Sequence, residues 1–367
     1  MDEQLKYKIG ITLIPHVGDV NAKSLISYCG GAEAVFKEKK GKLMKIPGIG
    51  SITAEAVCKQ DVLERAEEEV KFIKKYKITP LFYLDEDYPK RLKHCSDSPV
   101  MLYYKGTADL NQQKIVSIVG TRSATNYGKK ICENLIEELA PYKVLIASGL
   151  AYGIDICAHK AAIENGLSTV GVVAHGLDKI YPSAHRPTAE KMLKKGGILT
   201  DFISKTNPDK ENFPKRNRIV AGMADATIVI ESGKGGGSLI TADIANSYNR
   251  DVFAFPGRTD DKYSEGCNHL IKTNRAALIQ SAQDILYIMG WQETKQKKNV
   301  KQQKELFIEL GAEEKTIVDV LKDNTQLNID ELSYKANLPM SKISTLLLTL
   351  EFSGIVRSLP GKMYQLN

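Results

Sequence analysis

Cations, glycines and a serine crowd into residues 213–257, FPKRNRIVAGMADATIVIESGKGGGSLITADIANSYNRDVFAFPG. Their types and spacing suit the holding of an anion. Gly235, Gly236 and Gly237 permit backbone angles closed to other residues, and Ser238 is placed to cap a helix over 239–248. The first N–H groups of such a helix lack internal partners and lie at the positive end of its dipole, so they stabilise a phosphate without any charged side chain. Arg216, Arg218 and Lys234 add charge to the same neighbourhood. The order of residues is not that of a nucleotide hydrolase: GxxxxGK[ST] is absent, and Lys234 precedes the glycines instead of following them. Nor does the run match GxGxxG followed by an acidic residue after the next strand.

An anion site of this kind needs strands that end beside it. Residues 224–230 hold an apolar, β-branched run that follows Asp225, the pattern of a strand covered on both faces in a parallel sheet. A second such run, 115–119, ends in Gly120-Thr121-Arg122 and precedes a helix with Tyr127, Ile131, Leu135 and Leu139 at helical spacing. A third, 144–147, ends in Ser148-Gly149, with the next helix starting near Gly153-Ile154-Asp155. Ligands of open α/β sheets bind outside the carboxyl ends of the strands, so these ends predict one shared crevice. Arg122, Arg216, Arg218 and Lys234 would neutralise phosphates there, and Ser148 and Ser238 would donate hydrogen bonds. Which of Lys215, Arg216 and Arg218 points inward stays open, since helical spacing puts Lys215 and Arg218 on a similar face and Arg216 elsewhere. Lys272 extends the cationic track, and Phe213 belongs to the core or stacks a base.

The chain has 367 residues, enough for two or three domains, and a formal net charge of +7, a mild excess that permits a polyanion partner. The charged start MDEQLKYKIG and the lack of a long apolar run give an expectation of cytoplasmic residence, away from membranes. Six scattered cysteines without CxxC pairs, and histidines without HExxH spacing, predict no metal site and no cofactor.

Residues 80–290 resemble the DprA family, also called Smf, the DNA-processing proteins of bacterial natural transformation. The resemblance rests on Tyr88-Pro89 with Leu92, IVGTR at 118–122, SGLAYGID at 148–155, GLDxxYP at 176–182, FPKRNRIVAG at 213–222, GSLITA at 237–242, FPG at 255–257 and GCNHLI at 266–271. It implies an extended Rossmann-like parallel sheet that binds single-stranded DNA, protects incoming strands, self-associates as a homodimer and loads the RecA recombinase. With it, the DNA-binding set reads Gly120, Thr121, Arg122, Ser148, Gly149, Lys215, Arg216, Asn217, Arg218, Lys234, Gly235, Gly236, Gly237, Ser238 and Lys272, with no catalytic residue.

Flanking segments read as separate α units. Residues 1–79 resemble a SAM-like or helix-hairpin-helix domain, with one hairpin at 43–50 and a degenerate partner at 14–18, offering backbone amides to phosphate or serving only in packing. Glu64, Glu67, Glu68 and Glu69 would oppose a phosphate backbone on the same face. Residues 291–303 form a basic linker, and 304–367 a winged helix with helices at 316–322, 328–337 and 341–352 and a wing tip at Pro360-Gly361. That last unit carries seven cations against nine acids, the balance of a protein-contact or regulatory module. The rival reading is a Rossmann enzyme related to phosphoribohydrolases, which bind or hydrolyse nucleotides with a PGGxGT turn and a following glutamate. Thr241 stands at that glutamate's position, and Asp155 and Asp243 remain nearby acids.

Overall fold

The computed structural model describes residues 2–292, 310–324, 326–359 and 363–367. Two compact units divide at residue 292. The first is built on a nine-stranded sheet: β1 (Thr79–Phe82), β2 (Met101–Gly106), β3 (Ile115–Val119), β4 (Leu145–Ser148), β5 (Thr169–Val172), β6 (Gly197–Thr200), β7 (Ala226–Val229), β8 (Asp251–Ala254) and β9 (Ala277–Leu278). Their order is β1-β2-β6-β5-β4-β3-β7-β8-β9, with β3 to β9 parallel and β2 antiparallel to both β1 and β6.

Burial explains why the central strands β3, β4 and β7 are dominated by apolar residues, with Ser117, Ser148 and Thr227 their only polar side chains. Every residue of β3, β4 and β7 is buried, because helices cover both faces. Helices Asn126–Leu139, Ile154–Glu164 and Ala282–Ile288 pack one face with Cys132, Leu135, Ile136, Ala158 and Leu286. Helices Asn212–Gly222, Gly237–Ser247 and Glu265–Lys272 pack the other with Ile219, Val220, Ala242, Ala245 and Leu270. The first of these helices is turned from the expected face: Tyr127 is left exposed, while Cys132 and Ile136 join Leu135 and Leu139 in the core. Thr125 starts that helix by accepting a hydrogen bond from the Gly128 N–H at 3.1 Å.

The strand order fixes where a ligand can sit. From β3 the chain builds outward through β4, β5 and β6, then returns to lay β7 on the other flank of β3. The reversal opens a crevice beyond the carboxyl ends of β3 and β7, the topological switch point.

The α-helical segment does not stand apart from the sheet. Its core of Ile9, Leu25, Leu43, Val57, Val70 and Ile73 continues into Val100, Met101 and Tyr103 of β2 and the residue before it. Glu69, which is buried, accepts from the Ser204 N–H at 2.9 Å and the Ser204 hydroxyl at 2.5 Å, and Glu68 pairs with Lys205 at 2.9 Å. These two acids therefore dock the helix Leu63–Tyr76 onto the loop after β6. The hairpin turns precede the helices Asp19–Cys29 and Ser51–Lys59, whose N-caps Gly18 and Gly50 make no side-chain cap.

The second unit has the helices Ala312–Lys322, Ile329–Ala336 and Met340–Phe352 and a three-stranded sheet of β10 (Leu327–Asn328), β11 (Val356–Leu359) and β12 (Met363–Leu366), in the order β10-β12-β11. This is a winged helix, packed around Ile317, Leu321, Leu332, Ile343, Leu347 and Leu350. The expected wing tip and most of the basic linker lie outside the described residues. No helix among the described residues is long and apolar enough to cross a membrane.

Candidate nucleic-acid interface

The crevice at the switch point is a cavity of about 490 Å³. Three loops and one helix supply its walls. Gly120, Thr121 and Arg122 follow β3, Gly149 and Ala151 follow β4, Gly236, Gly237 and Ser238 open the helix after β7, and Phe213, Pro214, Arg216 and Asn217 come from the helix Asn212–Gly222.

Backbone geometry brings the first two loops together. Gly153 adopts φ +79° and lies so close to the Thr121 carbonyl that a Cβ would overlap it. The Ile154 N–H donates to the same carbonyl at 3.2 Å. Gly149 has a different reason to be glycine: a Cβ there would stand 2.6 Å from both the Arg216 guanidinium and the Asp155 carboxylate. On the far side, buried Glu231 accepts from the Thr125 N–H at 2.9 Å and the Thr125 hydroxyl at 2.5 Å, while its own carbonyl accepts from the Thr121 N–H at 2.8 Å. Both ends of the Arg122 loop are thereby tied to the end of β7.

The arginines divide by position. Arg216 is 4% exposed and donates to the Gly149 carbonyl at 2.5 Å and to the Val172 carbonyl. Burial lowers its pKa to about 10, opposed by Asp155 and helped by Arg122, so it remains a cation at neutral pH. Asp155 beside it is pushed above its ordinary value by burial, against the pull of Arg216. Arg122 is exposed and lies over the Phe213 ring, 5.3 Å from its centroid. Arg218 faces away from the crevice. It pairs with Asp19 at 2.8 Å and Asp201 at 3.0 Å, fastening the α-helical segment to the sheet. Burial alone would lower the Arg218 pKa, but the two carboxylates outweigh it and hold it above the ordinary value.

Several expected contacts move for physical reasons. Lys215 and Arg218 share a face, as helical spacing predicts, and that face lines a second cavity with Asp19 and Asp97. The Ser148 hydroxyl is fully buried and donates to the Ile118 carbonyl at 2.6 Å, so it belongs to the sheet. Ser238 is no cap: the N-cap is Gly236, and the buried Ser238 hydroxyl donates to the Ser232 hydroxyl at 2.9 Å. At this turn no hydroxyl is left facing the crevice from Ser238, whose side chain is turned to Ser232. Lys234 and Gly235 are exposed at the tip of that turn, beyond the lining, and Lys272 is exposed at the end of its helix, also outside it. Lys210, which the sequence reading omitted, does line the crevice; its one signal is its place three residues before Phe213. Thr241 lines the floor where a catalytic glutamate would be required, and Asp243 is instead paired with Arg275.

Comparison with known proteins fixes the family. A model described as DNA recombination-mediator protein A matches residues 79–290, and a DprA winged helix domain model matches 307–362. The chain belongs to the DprA/Smf family. It is 42% identical over 203 residues to DNA processing protein DprA of Streptococcus pneumoniae, covering 55% of this chain and 71% of that one. Protein Smf of Synechocystis is 33% identical over 291 residues, covering 77% and 72%. Among solved structures, S. pneumoniae DprA superposes with a TM-score of 0.67 at 34% identity, over 77% of this chain and 97% of that one. DNA processing protein A of Helicobacter pylori, described for its single-stranded DNA binding mode, gives 0.53 at 30%, over 59% and 96%.

Proposed function

We propose that this protein binds single-stranded DNA without sequence preference and without cleaving it, in the crevice at the switch point, and thereby protects strands and hands them to the RecA recombinase in the cytoplasm. One observation carries the reading: exposed Arg122 and Lys210 line the same crevice as the N-terminus of the helix Gly237–Ser247, above buried Arg216. Cations on a groove beside unpartnered backbone amides hold a phosphate chain by charge and hydrogen bonding, whatever its bases. The DNA-binding relative from H. pylori and the recombination-mediator family support the same assignment. Self-association is part of the proposal, supported by the short edge strand β9 with exposed Leu278 and by exposed Tyr287 and Ile288 nearby.

Binding of a labelled oligothymidylate, followed by fluorescence anisotropy, tests this. Affinity is expected to fall steeply with added salt, because each phosphate contact releases counterions. Salt-independent binding, or release of free base from nucleotides by the purified protein, contradicts the assignment and favours the hydrolase reading.

A further inference from the structure

Two exposed aromatic rings border the crevice, one set against a buried histidine ring and the other held to a buried histidine through its backbone. Tyr152 and Tyr181 are 50% and 48% exposed. Tyr152 lies between Ala151, which lines the crevice, and Gly153, which packs against the Thr121 and Arg122 backbone. Its ring meets that of His185 edge-on at 4.8 Å, and His185 Nδ1 is 2.9 Å from the Leu150 carbonyl. Tyr181 has its ring centroid 6.3 Å from that of Phe213, the ring that Arg122 covers. Its backbone N–H donates to His175 Nε2 at 3.2 Å, and the other nitrogen, Nδ1, is 2.9 Å from the Gly176 carbonyl. Nε2 must therefore be the bare nitrogen, and Nδ1 carries the proton given to that carbonyl.

Single exposed aromatics are ordinary on protein surfaces. Tyr152 follows Ala151 of the crevice lining and Tyr181 neighbours Phe213, so both stand at the edge of a cationic crevice, the pairing of stacking surface and electrostatic groove that suits unpaired nucleotides. Neither phosphate neutralisation nor core packing uses their exposed faces. We propose that Tyr152 and Tyr181 form a stacking rim for the unpaired bases of the strand whose phosphates lie in the crevice. The inference rests on the single-strand reading above and adds a second ligand chemistry to it, the flat face of a nucleobase. Duplex DNA, with its bases already stacked on one another, cannot use this rim.

The test compares a labelled oligothymidylate with an abasic oligomer of the same length and charge. A Tyr152→Ala, Tyr181→Ala double variant is expected to lose at least about fivefold in affinity for the oligothymidylate and nothing for the abasic oligomer. The corresponding double phenylalanine variant keeps the parent's affinity for both, since the ring survives. An alanine variant that binds the oligothymidylate as tightly as the parent overturns the proposal. So does one that loses the same factor on both oligomers, which would mark the rings as structural supports. A parent that fails to bind the abasic oligomer at low salt contradicts the phosphate crevice instead, and the alanine and phenylalanine variants on oligothymidylate still judge the rim.

Discussion

Arg216 and Arg218 stand two residues apart on one helix and serve different parts of the molecule. Arg216 turns under the crevice floor, where it is spent on the Gly149 and Val172 carbonyls and balances buried Asp155. Arg218 turns into the seam with the α-helical segment, between Asp19 and Asp201. The contrast teaches that cation density in a motif is not phosphate-binding capacity. One arginine shapes the crevice from below, the other joins two parts of the fold, and among the cations that line the crevice Arg122 and Lys210 are the exposed ones.

Substitution can break this division of labour. Arg216→Ala removes the partner of two backbone carbonyls and the cation beside Asp155, and is expected to cost about 3–5 kcal/mol of stability. Arg218→Ala leaves two carboxylates that are only partly screened by water and is expected to cost about 2–3 kcal/mol. Urea denaturation reads both losses, while oligothymidylate binding by the folded Arg218→Ala protein should match the parent. Weaker binding there would return Arg218 to the DNA surface.

Lysines sharpen the same contrast. Lys210→Ala should weaken oligothymidylate binding about threefold to tenfold and flatten the salt dependence by about 0.7 in log–log slope, one single-strand phosphate contact. Lys215→Ala, on the seam side, should change neither. Equal effects in anisotropy titrations would erase the distinction between the two faces.

A smaller effect follows from Asp155. Its folded pKa lies above the ordinary 3.8, so the folded state binds the proton more tightly than the unfolded chain. The stability this provides is full below about pH 4 and is lost as pH rises through the raised value. Asp155→Asn should therefore gain stability relative to the parent as pH climbs from about 4 towards neutrality, measured by thermal unfolding across that range. A difference independent of pH would mean that the carboxyl is not held in a disfavoured environment.

Much of the architecture was legible because burial leaves a simple trace. The mostly apolar, β-branched run of β3 and the glycines at the strand ends announced a doubly covered parallel sheet and a crevice at its carboxyl edge. Helical spacing also separated Arg216 from Lys215 and Arg218, yet nothing local says which face meets the crevice, since that depends on how the helix Asn212–Gly222 packs. The hydroxyls of Ser148 and Ser238 read as ligand donors because a one-dimensional pattern does not show the Ile118 carbonyl or the Ser232 hydroxyl waiting for them. Lys210 escaped for the opposite reason: it precedes the helix and reaches the crevice only through the fold.

The central claim is that the crevice beyond β3, β4 and β7 holds the phosphate chain of a single strand, with Arg122 one of the exposed cations that line it. The most direct test is the affinity of Arg122→Ala for an abasic oligomer across a salt series, where base stacking contributes nothing. The account predicts weaker binding at moderate salt and a log–log salt slope shallower by about 0.7. Binding as tight as the parent's, with an unchanged slope, would contradict it.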